Sequence, residues 1–445
     1  MSATGPGWAV AGRWDPHVHL LSGAAWCCSV DCSPAAVRSV GEIVARVREA
    51  AAHVAPGAWV RAVGYDEAAL AEQRHPTRDD LDRAAPRHPV RLQHRTGHLS
   101  VLSSEALRRC GIGESTDEPP GAAIERDLAS GRLTGVLVQM EDRLSACIPP
   151  LGEAELRAGF RRMADRCAAG GVTGVVDASH TNDTAALALI ERLAEEAPWL
   201  AVRAMIGGAA AGALRPREVP PRMRAGWAKV MLRELGEDRV EPVVPRAEGL
   251  VEWCRELAAR GWAVAVHAVS ESAVRAAAAA LEHAPRPGRL PHRIEHAAVC
   301  PPDVARRIAA AGIQVVSNPL FLWENGGRYL QTVPRPLQPW LYDVGGMLAL
   351  GVKVRAGSDL PVAWPNVPAS VYAAATRRSR HGSVVPGRGL DARRAWRIHP
   401  FRPRTRAWWD RPPRGPDGLP DPSARVLRVE VDGVVAWRAG EGVRA

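Results

Sequence analysis

Long apolar runs are missing from this sequence. No stretch of 18 apolar residues occurs, so nothing in it reads as a membrane span. The first residues carry no basic segment followed by an apolar core, so no secretory signal is expected. Eight cysteines in 445 residues do not make a disulfide framework. Cys27, Cys28 and Cys32 cluster, but no second pair at zinc-ribbon spacing follows them, so buried or incidental thiols are expected. Phenylalanine is scarce at 3 residues against 15 tryptophans, while alanine and arginine abound, a pattern of coding bias more than of function. The formal charge of +10 raises the question of nucleic acid. The arginines are dispersed among acidic residues and no recognition motif accompanies them, so neither nucleic acid nor membrane is expected as a partner. A soluble, cytoplasmic protein is the expectation, with a homodimer left open.

What is present is an ordinary globular composition, 46% hydrophobic and 24% charged. The length suits one large barrel with an accessory region, or two to three small domains. Near the start stands Asp15-Pro-His-Val-His-Leu20. Side chains alternate along a strand, so His17 and His19 share a face, where two imidazoles can grip one metal ion. Two ordinary surface histidines are the plainer reading of that pair alone.

The spacing predicts a first strand over Trp14–Leu20, a helix over Ser33–His53, short strands near Trp59–Tyr65 and Val90–His94, and a helix start at Thr77. Residues 116–130 read as loop, and the stretch from 21 to 150 as an insertion without a strand–helix beat. From about 151 the beat is regular. Helices Glu153–Ala169, Thr184–Glu196, Ala247–Arg260, Glu271–Glu282 and Pro302–Ala311 alternate with strands Val172–Asp177, Ala201–Ile206, Ala228–Leu232, Trp262–His267, Arg293–His296, Ile313–Ser317 and Val352–Ala356. With the first strand these make eight, the number of a closed (β/α)8 TIM barrel of class α/β; a doubly wound open sheet is the alternative. The organisation expected is barrel start 1–20, insertion 21–150, remainder of the barrel 151–380 and an Arg/Pro-rich tail 381–445.

Barrel active sites collect at the C-terminal ends of the strands. There the sequence puts His17 and His19, Lys229, His267, His296 and Asp359. Singly these have plain readings: His267 a satisfied core histidine, Lys229 a surface lysine on an edge strand, Asp359 a helix N-cap. Together they form a convergent ring at five strand ends.

At this point the sequence resembles the amidohydrolase superfamily, and within it the YtcJ-like branch that includes N-substituted formamide deformylases. The resemblance rests on Trp14-Asp-Pro-His-Val-His-Leu20, Gly64-Tyr-Asp66, Gly97-His98, Thr134-Gly-Val-Leu137, Gly171-Val-Thr-Gly-Val-Val-Asp177, His292-Arg-Ile-Glu-His-Ala297 and Gly357-Ser-Asp359, over roughly residues 12–380. It implies that His17, His19 and Asp359 bind one divalent metal, most readily zinc, and that His267 and His296 bind a second, with Lys229 as a carboxylated bridge. Lys229 is the weakest of these, because its context continues Val-Met-Leu-Arg-Glu rather than Asp-Gly. The resemblance also implies a small β-sandwich, here shortened or degenerate: only 16 residues precede His17, and the usual Gly-Lys-x-Ala-Asp segment is missing. Residues 380–425 are expected to be loop or surface tract, and Val426–Trp437 a last hairpin turning at Asp432-Gly433.

The implied chemistry is metal-assisted hydrolysis of a non-peptide C–N bond, an amide or N-substituted formamide. Asp359 would be both ligand and proton acceptor. Tyr65, Asp66, His94 and His98 are candidates to border the pocket, and the segment Leu320–Glu324 an aromatic wall. Arg293 and Glu295 should alternate away from His296 as a structural salt link. The alternatives are a barrel hydrolase of a lactone or phosphoester, and a truncated non-catalytic homologue.

Overall fold

The computed structural model describes residues 8–119, 121–234, 240–242, 249–415 and 418–440. The described residues divide into two compact units, one from 1–21 with 160–445 and one from 22–159.

The first unit is built on an eleven-stranded sheet. Its strands are β1 (Trp8–Val18), β2 (Val172–Asp177), β3 (Ala201–Gly207), β4 (Arg224–Val230), β5 (Ala263–Ala268), β6 (Arg293–His296), β7 (Gln314–Ser317), β8 (Lys353–Ala356), β9 (Phe401–Trp409), β10 (Val426–Val431) and β11 (Val434–Arg438). The spatial order is β8-β7-β6-β5-β4-β3-β2-β1-β9-β10-β11. Within β1 to β8 every neighbouring pair is parallel. Parallel strands covered by helices are buried on both faces, which explains runs such as Ala263–Val266 with no polar alternation. The segment after β8 also meets β1: Val18 bridges Leu360, the Asp359 amide donates to His17 O at 2.9 Å, and the His19 amide to Leu360 O at 2.8 Å.

The intervening helices start where capping chemistry stands. Asp183 accepts from the Ala186 amide at 2.8 Å, Ser270 from Ala273 at 3.2 Å and Asn366 from Ala369 at 3.0 Å. Gly171 follows the helix Glu153–Ala169 with φ +88°, and a Cβ there would stand 2.7 Å from the Trp409 ring. A side chain is therefore excluded both by conformation and by space. The segment Leu320–Glu324 is not loop but part of helix Pro319–Thr332, with Phe321 buried against Tyr342.

Past β8 the structure corrects the expectation of a loop tract. A short helix, Ala392–Arg397, leads into β9, which pairs antiparallel with the first half of β1 from Trp8↔Trp409 to Arg13↔Phe401. The alternation of Thr405, Ala407 and Trp409 inward is a strand signal that four interleaved arginines and prolines disguise. Pro403 falls at the register shift between Ala11 and Arg13, so it removes no ladder bond. Strand β1 starts at Trp8 rather than Trp14, and β9 joins it to the hairpin β10–β11. Hairpin β10–β11 turns at Asp432 (φ 51°) and Gly433 (φ 83°), as expected.

The second unit is likewise more ordered than its sequence suggested. It holds a six-stranded mixed sheet in the order Val30–Asp31, Val60–Tyr65, Val90–His94, Leu99–Leu102, Leu133–Val138, Ala123–Arg126. The last strand lies inside the stretch read as loop. The helix expected from Ser33 spans Val40–Ala52 and is capped by Ser39, whose hydroxyl accepts from the Glu42 amide. Its Val40, Ile43, Val44 and Val47 pack with Leu81, Leu92 and Val101 in one core. Cys110 and Cys147 form a disulfide, where free thiols were expected.

Candidate functional site

The C-terminal end of β1 and the turn after β8 are locked together. Asp15 accepts the His17 amide and the Ser358 amide, each at 3.1 Å. Burial pushes the Asp15 carboxyl up to about 6, against the hydrogen bonds from Ser358 and His17. At Gly357 a Cβ would meet His17 Cβ at 2.9 Å, so only glycine lets this turn approach the strand. Asp359 itself is left-handed, φ 60°, a conformation aspartate tolerates. It caps no helix: the next one, Val367–Thr376, is capped by Asn366.

This turn delivers the Asp359 carboxylate to both histidines. Asp359 Oδ1 lies 3.3 Å from His17 Nε2 and 3.1 Å from His19 Nε2, and the three ligand atoms fall within 4.8 Å of one another. His17 Nε2 and Asp359 Oδ1 are both buried and make no hydrogen bond. Leaving such a group unsatisfied costs about 1–3 kcal/mol. A divalent cation would satisfy all three atoms at once, and two imidazole nitrogens with a carboxylate suit zinc, iron or manganese.

The other nitrogen of each ring is held. His17 Nδ1 stands 2.5 Å from Glu295 Oε2. A carboxylate only accepts, so Nδ1 is the donor, and in the neutral ring the Nε2 lone pair faces Asp359. Glu295 is fixed in turn by Arg293, which also donates to Pro16 O at 2.8 Å. The expected Arg293–Glu295 link is therefore present, but Glu295 does not point away from the site; it orients His17. His19 Nδ1 pairs with Ser179 Oγ at 2.9 Å and His296 Nδ1 with Asn318 Oδ1 at 2.8 Å. Asn318 also donates to Gly357 O. Asp177, at the end of β2, accepts from the amides of Leu20 and Ser179 and so places both His19 and its partner.

His267 and His296 end neighbouring strands, in register with Glu295 opposite His267 and His296 opposite Ala268. Their rings are 4.7 Å apart, and His296 is 4.7 Å from His17. They continue the imidazole cluster, but among the described residues they complete no second set of three ligand atoms. Lys229 is neither on an edge nor at the surface: β4 lies between β3 and β5, and the side chain is buried. Burial draws its ammonium down to about 8, against the attraction of Glu295 and Asp359.

The field at this end of the sheet favours the charged forms of Asp359 and His17 and disfavours those of the neighbouring imidazoles and Lys229. Burial opposes ionisation of Asp359, yet His17, His19 and His296 outweigh it and hold the carboxyl well below its ordinary range. Burial and Lys229 oppose a charged His17, but Glu295 and Asp359 raise it. His296, desolvated and beside other cationic groups, falls to about 4, and His267 is also lowered, by burial and by His296.

The sequence reading missed Glu295, Ser179 and Asn318 and gave Asp15 and Asp177 no role. Asp15 could have been found, since it shares the face of His17 by period two. In the second unit Asp66, Glu67 and His94 come together, with Glu67 Oε2 2.8 Å from His94 Nε2 and the Tyr65 hydroxyl 3.0 Å from His75 Nδ1. His98 stands apart from them, 3.7 Å from Glu141.

Known proteins are similar to this chain. Residues 7–399 match the amidohydrolase family. An N-substituted formamide deformylase of Arthrobacter pascens is 28% identical over 435 residues, covering 88% of this chain and 78% of that protein. The putative amidohydrolase YtcJ of Bacillus subtilis (strain 168) is 24% identical over 84% of this chain and 74% of its own length. In structure, an uncharacterized metal-dependent hydrolase from Pyrococcus horikoshii OT3 superposes with a TM-score of 0.66 at 19% identity, over 87% of this chain and 79% of that one. A second, from Pyrococcus furiosus, gives 0.61 at 23% identity over 83% and 77%. The chain belongs to the amidohydrolase family.

Proposed function

We propose that this chain is a metal-dependent hydrolase that cleaves the C–N bond of a small amide or N-substituted formamide. The observation that carries the proposal is the convergence of His17 Nε2, His19 Nε2 and Asp359 Oδ1, two of them buried and unsatisfied. These three would hold one divalent ion, zinc by preference. His267 and His296, with Lys229 as a carbamate, would hold a second. The strands β1–β8 would close as a barrel around them, a reading supported by the bonds from β1 to the segment after β8.

The bound ion supplies Lewis acidity toward the substrate carbonyl and toward water. The chain supplies the proton path. Asp359, kept ionised, accepts the proton of the attacking water and returns it to the leaving nitrogen. Glu295, Ser179 and Asn318 keep the imidazoles in fixed tautomers and orientations. The similarity to a formamide deformylase favours the C–N bond as the target. A cytoplasmic location belongs to the same proposal; among the described residues no helix is long and apolar enough to cross a membrane.

Elemental analysis of gently purified protein should find between one and two equivalents of divalent metal. A content below about 0.2 equivalent that reconstitution does not raise would overturn the metal centre. A panel of N-substituted formamides, amides, lactones and phosphoesters then tests the bond, and turnover confined to the oxygen esters would overturn the C–N assignment.

A further inference from the structure

The same two strands border a second cavity further back along their length. It measures about 410 Å³ and is lined by Arg13, Arg355, Arg393, Arg397 and Arg414 around Trp396 and His399. Arg13 precedes His17 by four residues on β1, about 13 Å along the strand. Arg355, in β8, likewise precedes Asp359 by four residues. No lining residue belongs to the metal cluster.

The wall is one-sided in charge. Among the described residues it contains five arginines and no carboxylate, and none of the five is in an ion pair. Arg13 and Arg414 both lie over the Trp396 ring, 5.4 and 5.3 Å from its centroid, which brings two like charges to one indole. The arginines are held in place by backbone oxygens: Arg13 Nη1 donates to His399 O at 3.0 Å, and Arg355 Nη1 to Arg397 O at 3.2 Å. Burial and the charge of Arg414 draw the Arg13 guanidinium down to about 10, and burial with the Arg13 charge draws His399 to about 3. Gathering like charges in a partly desolvated wall is unfavourable unless a counter-charge joins them.

Hydrogen bonding gives an independent sign. Arg13 Nε, Trp396 Nε1 and His399 Nε2 are all buried without a partner. Trp396 is 3% exposed and His399 7% exposed, so solvent does not readily replace one. Arg13 Nε and Trp396 Nε1 can only donate, and neutral His399 can donate from Nε2. Those three atoms are covered, whereas Arg355, Arg393, Arg397 and Arg414 are exposed to a ligand in the cavity; one that carries more than one negative charge would answer the deficit of counter-charge.

We propose that this cavity binds a small polyanion bearing phosphate groups. Guanidinium forks match phosphate oxygens two at a time. The volume falls within the range of small-ligand sites, roughly 300–1,000 Å³. Both an inorganic polyphosphate and a nucleoside triphosphate present this chemistry. With Arg13 and Arg414 already over the indole ring, recognition falls on the phosphates and not on a base.

The test is calorimetric titration of the full-length, as-purified protein with sodium tripolyphosphate at 50 mM NaCl. One equivalent should bind, and affinity should fall when NaCl is raised to 200 mM. Arg355→Glu/Arg397→Glu should weaken binding at least tenfold. Arg404→Glu/Arg406→Glu, the same charge change on exposed residues of β9, should alter it less than threefold. Arg355→Lys/Arg397→Lys keeps the charge and loses the fork, and should give an intermediate loss. Circular dichroism of each variant confirms the fold, which exposed positions are expected to tolerate. ATP should bind within about threefold of tripolyphosphate. The proposal is overturned by absence of binding at 1 mM tripolyphosphate, by equal weakening in the pocket and β9 variants, or by an unchanged affinity in the pocket variant. ATP binding more than thirtyfold tighter, or an oligonucleotide that tripolyphosphate does not displace, overturns it as well.

Discussion

Strands β1 and β8 carry opposite chemistry within four residues of each other. At the finish of β1 and in the turn past β8, carboxylates and imidazoles crowd together, and the unsatisfied atoms include an imidazole nitrogen and a carboxylate oxygen. Further back, at Arg13 and Arg355, guanidinium groups crowd together, and two of the three unsatisfied atoms are obligate donors. The first cluster would suit a cation and the second an anion. The electrostatic asymmetry runs along single strands, so neither net charge nor composition reveals it. The +10 of the whole chain is compatible with a site that attracts positive charge, because local geometry decides which charge each cluster seeks.

The comparison can be broken hardest at Glu295. Removing one partner of a buried, hydrogen-bonded charge pair costs about 3–5 kcal/mol, since the other charge is left uncompensated. Glu295→Ala strands Arg293 and releases His17 together. A denaturant melt should show that loss, and metal affinity should fall about 10–100-fold. A melt within about 1 kcal/mol of the parent would mean that solvent or Asp359 replaces Glu295 at no cost.

Asp359→Asn comes next. Asparagine tolerates the left-handed backbone at this position but accepts no proton. Amide turnover at saturating metal should drop by about 10²-fold or more, with the melting temperature almost unchanged. Near-normal turnover in fully metallated protein would leave Asp359 as a ligand only.

The opposite end answers to acid. The His399 pKa is about 3 in the folded protein and near 6.5 when exposed. Between those values the unfolded chain binds the extra proton, so this contribution is complete above pH 6.5 and is lost as the pH falls toward 3. The loss is on the order of a few kcal/mol. His399→Gln should therefore flatten the stability profile between pH 6 and pH 4. A slope equal to that of the parent would assign the acid sensitivity elsewhere.

The smallest effect sharpens the metal end. Ser179→Ala removes the hydrogen bond to His19 Nδ1, which is worth about 1 kcal/mol. Metal affinity should decline by roughly tenfold while turnover of the loaded enzyme stays close to normal. A fall in turnover alone would show that Ser179 contacts substrate rather than supporting a ligand.

The parts of this structure that were legible in the sequence obey a local rule. Helices Glu153–Ala169 and Glu271–Glu282 and strands Val172–Asp177 and Arg293–His296 have the bounds read from the sequence, because period and punctuation agree there. His17, His19 and Asp359 share a place because strand ends collect at one side of a parallel sheet. What stayed hidden depends on partners distant in sequence. Glu295 looked outward by alternation, but β6 stops at His296, whose φ of 70° leaves extended geometry, and His17 comes to meet Glu295 from 278 residues away. Strand β9 was hidden by arginines and Pro403, which its antiparallel pairing with β1 accommodates at a register shift. The Cys110–Cys147 pair, 37 residues apart, follows no spacing rule, since connectivity depends on Cα proximity in the finished fold. The insertion combined short strands with mixed pairing, and neither a strand–helix beat nor a hairpin rule describes that.

The Asp15 clamp has a consequence for biosynthesis. Asp15, which holds the His17 amide, reaches the Ser358 amide across 343 residues. A ribosome adds about 5–20 residues per second, so the histidine pair waits roughly 20–70 s before its aspartate is synthesised. During that interval the nascent chain offers two imidazoles, which do not make a three-atom site. Ion capture by the full set would thus be a late event, timed by the emergence of the eighth strand and coincident with its docking on the first. A ribosome-bound chain stalled before residue 359 should hold metal no better than an unstructured peptide with the same two histidines.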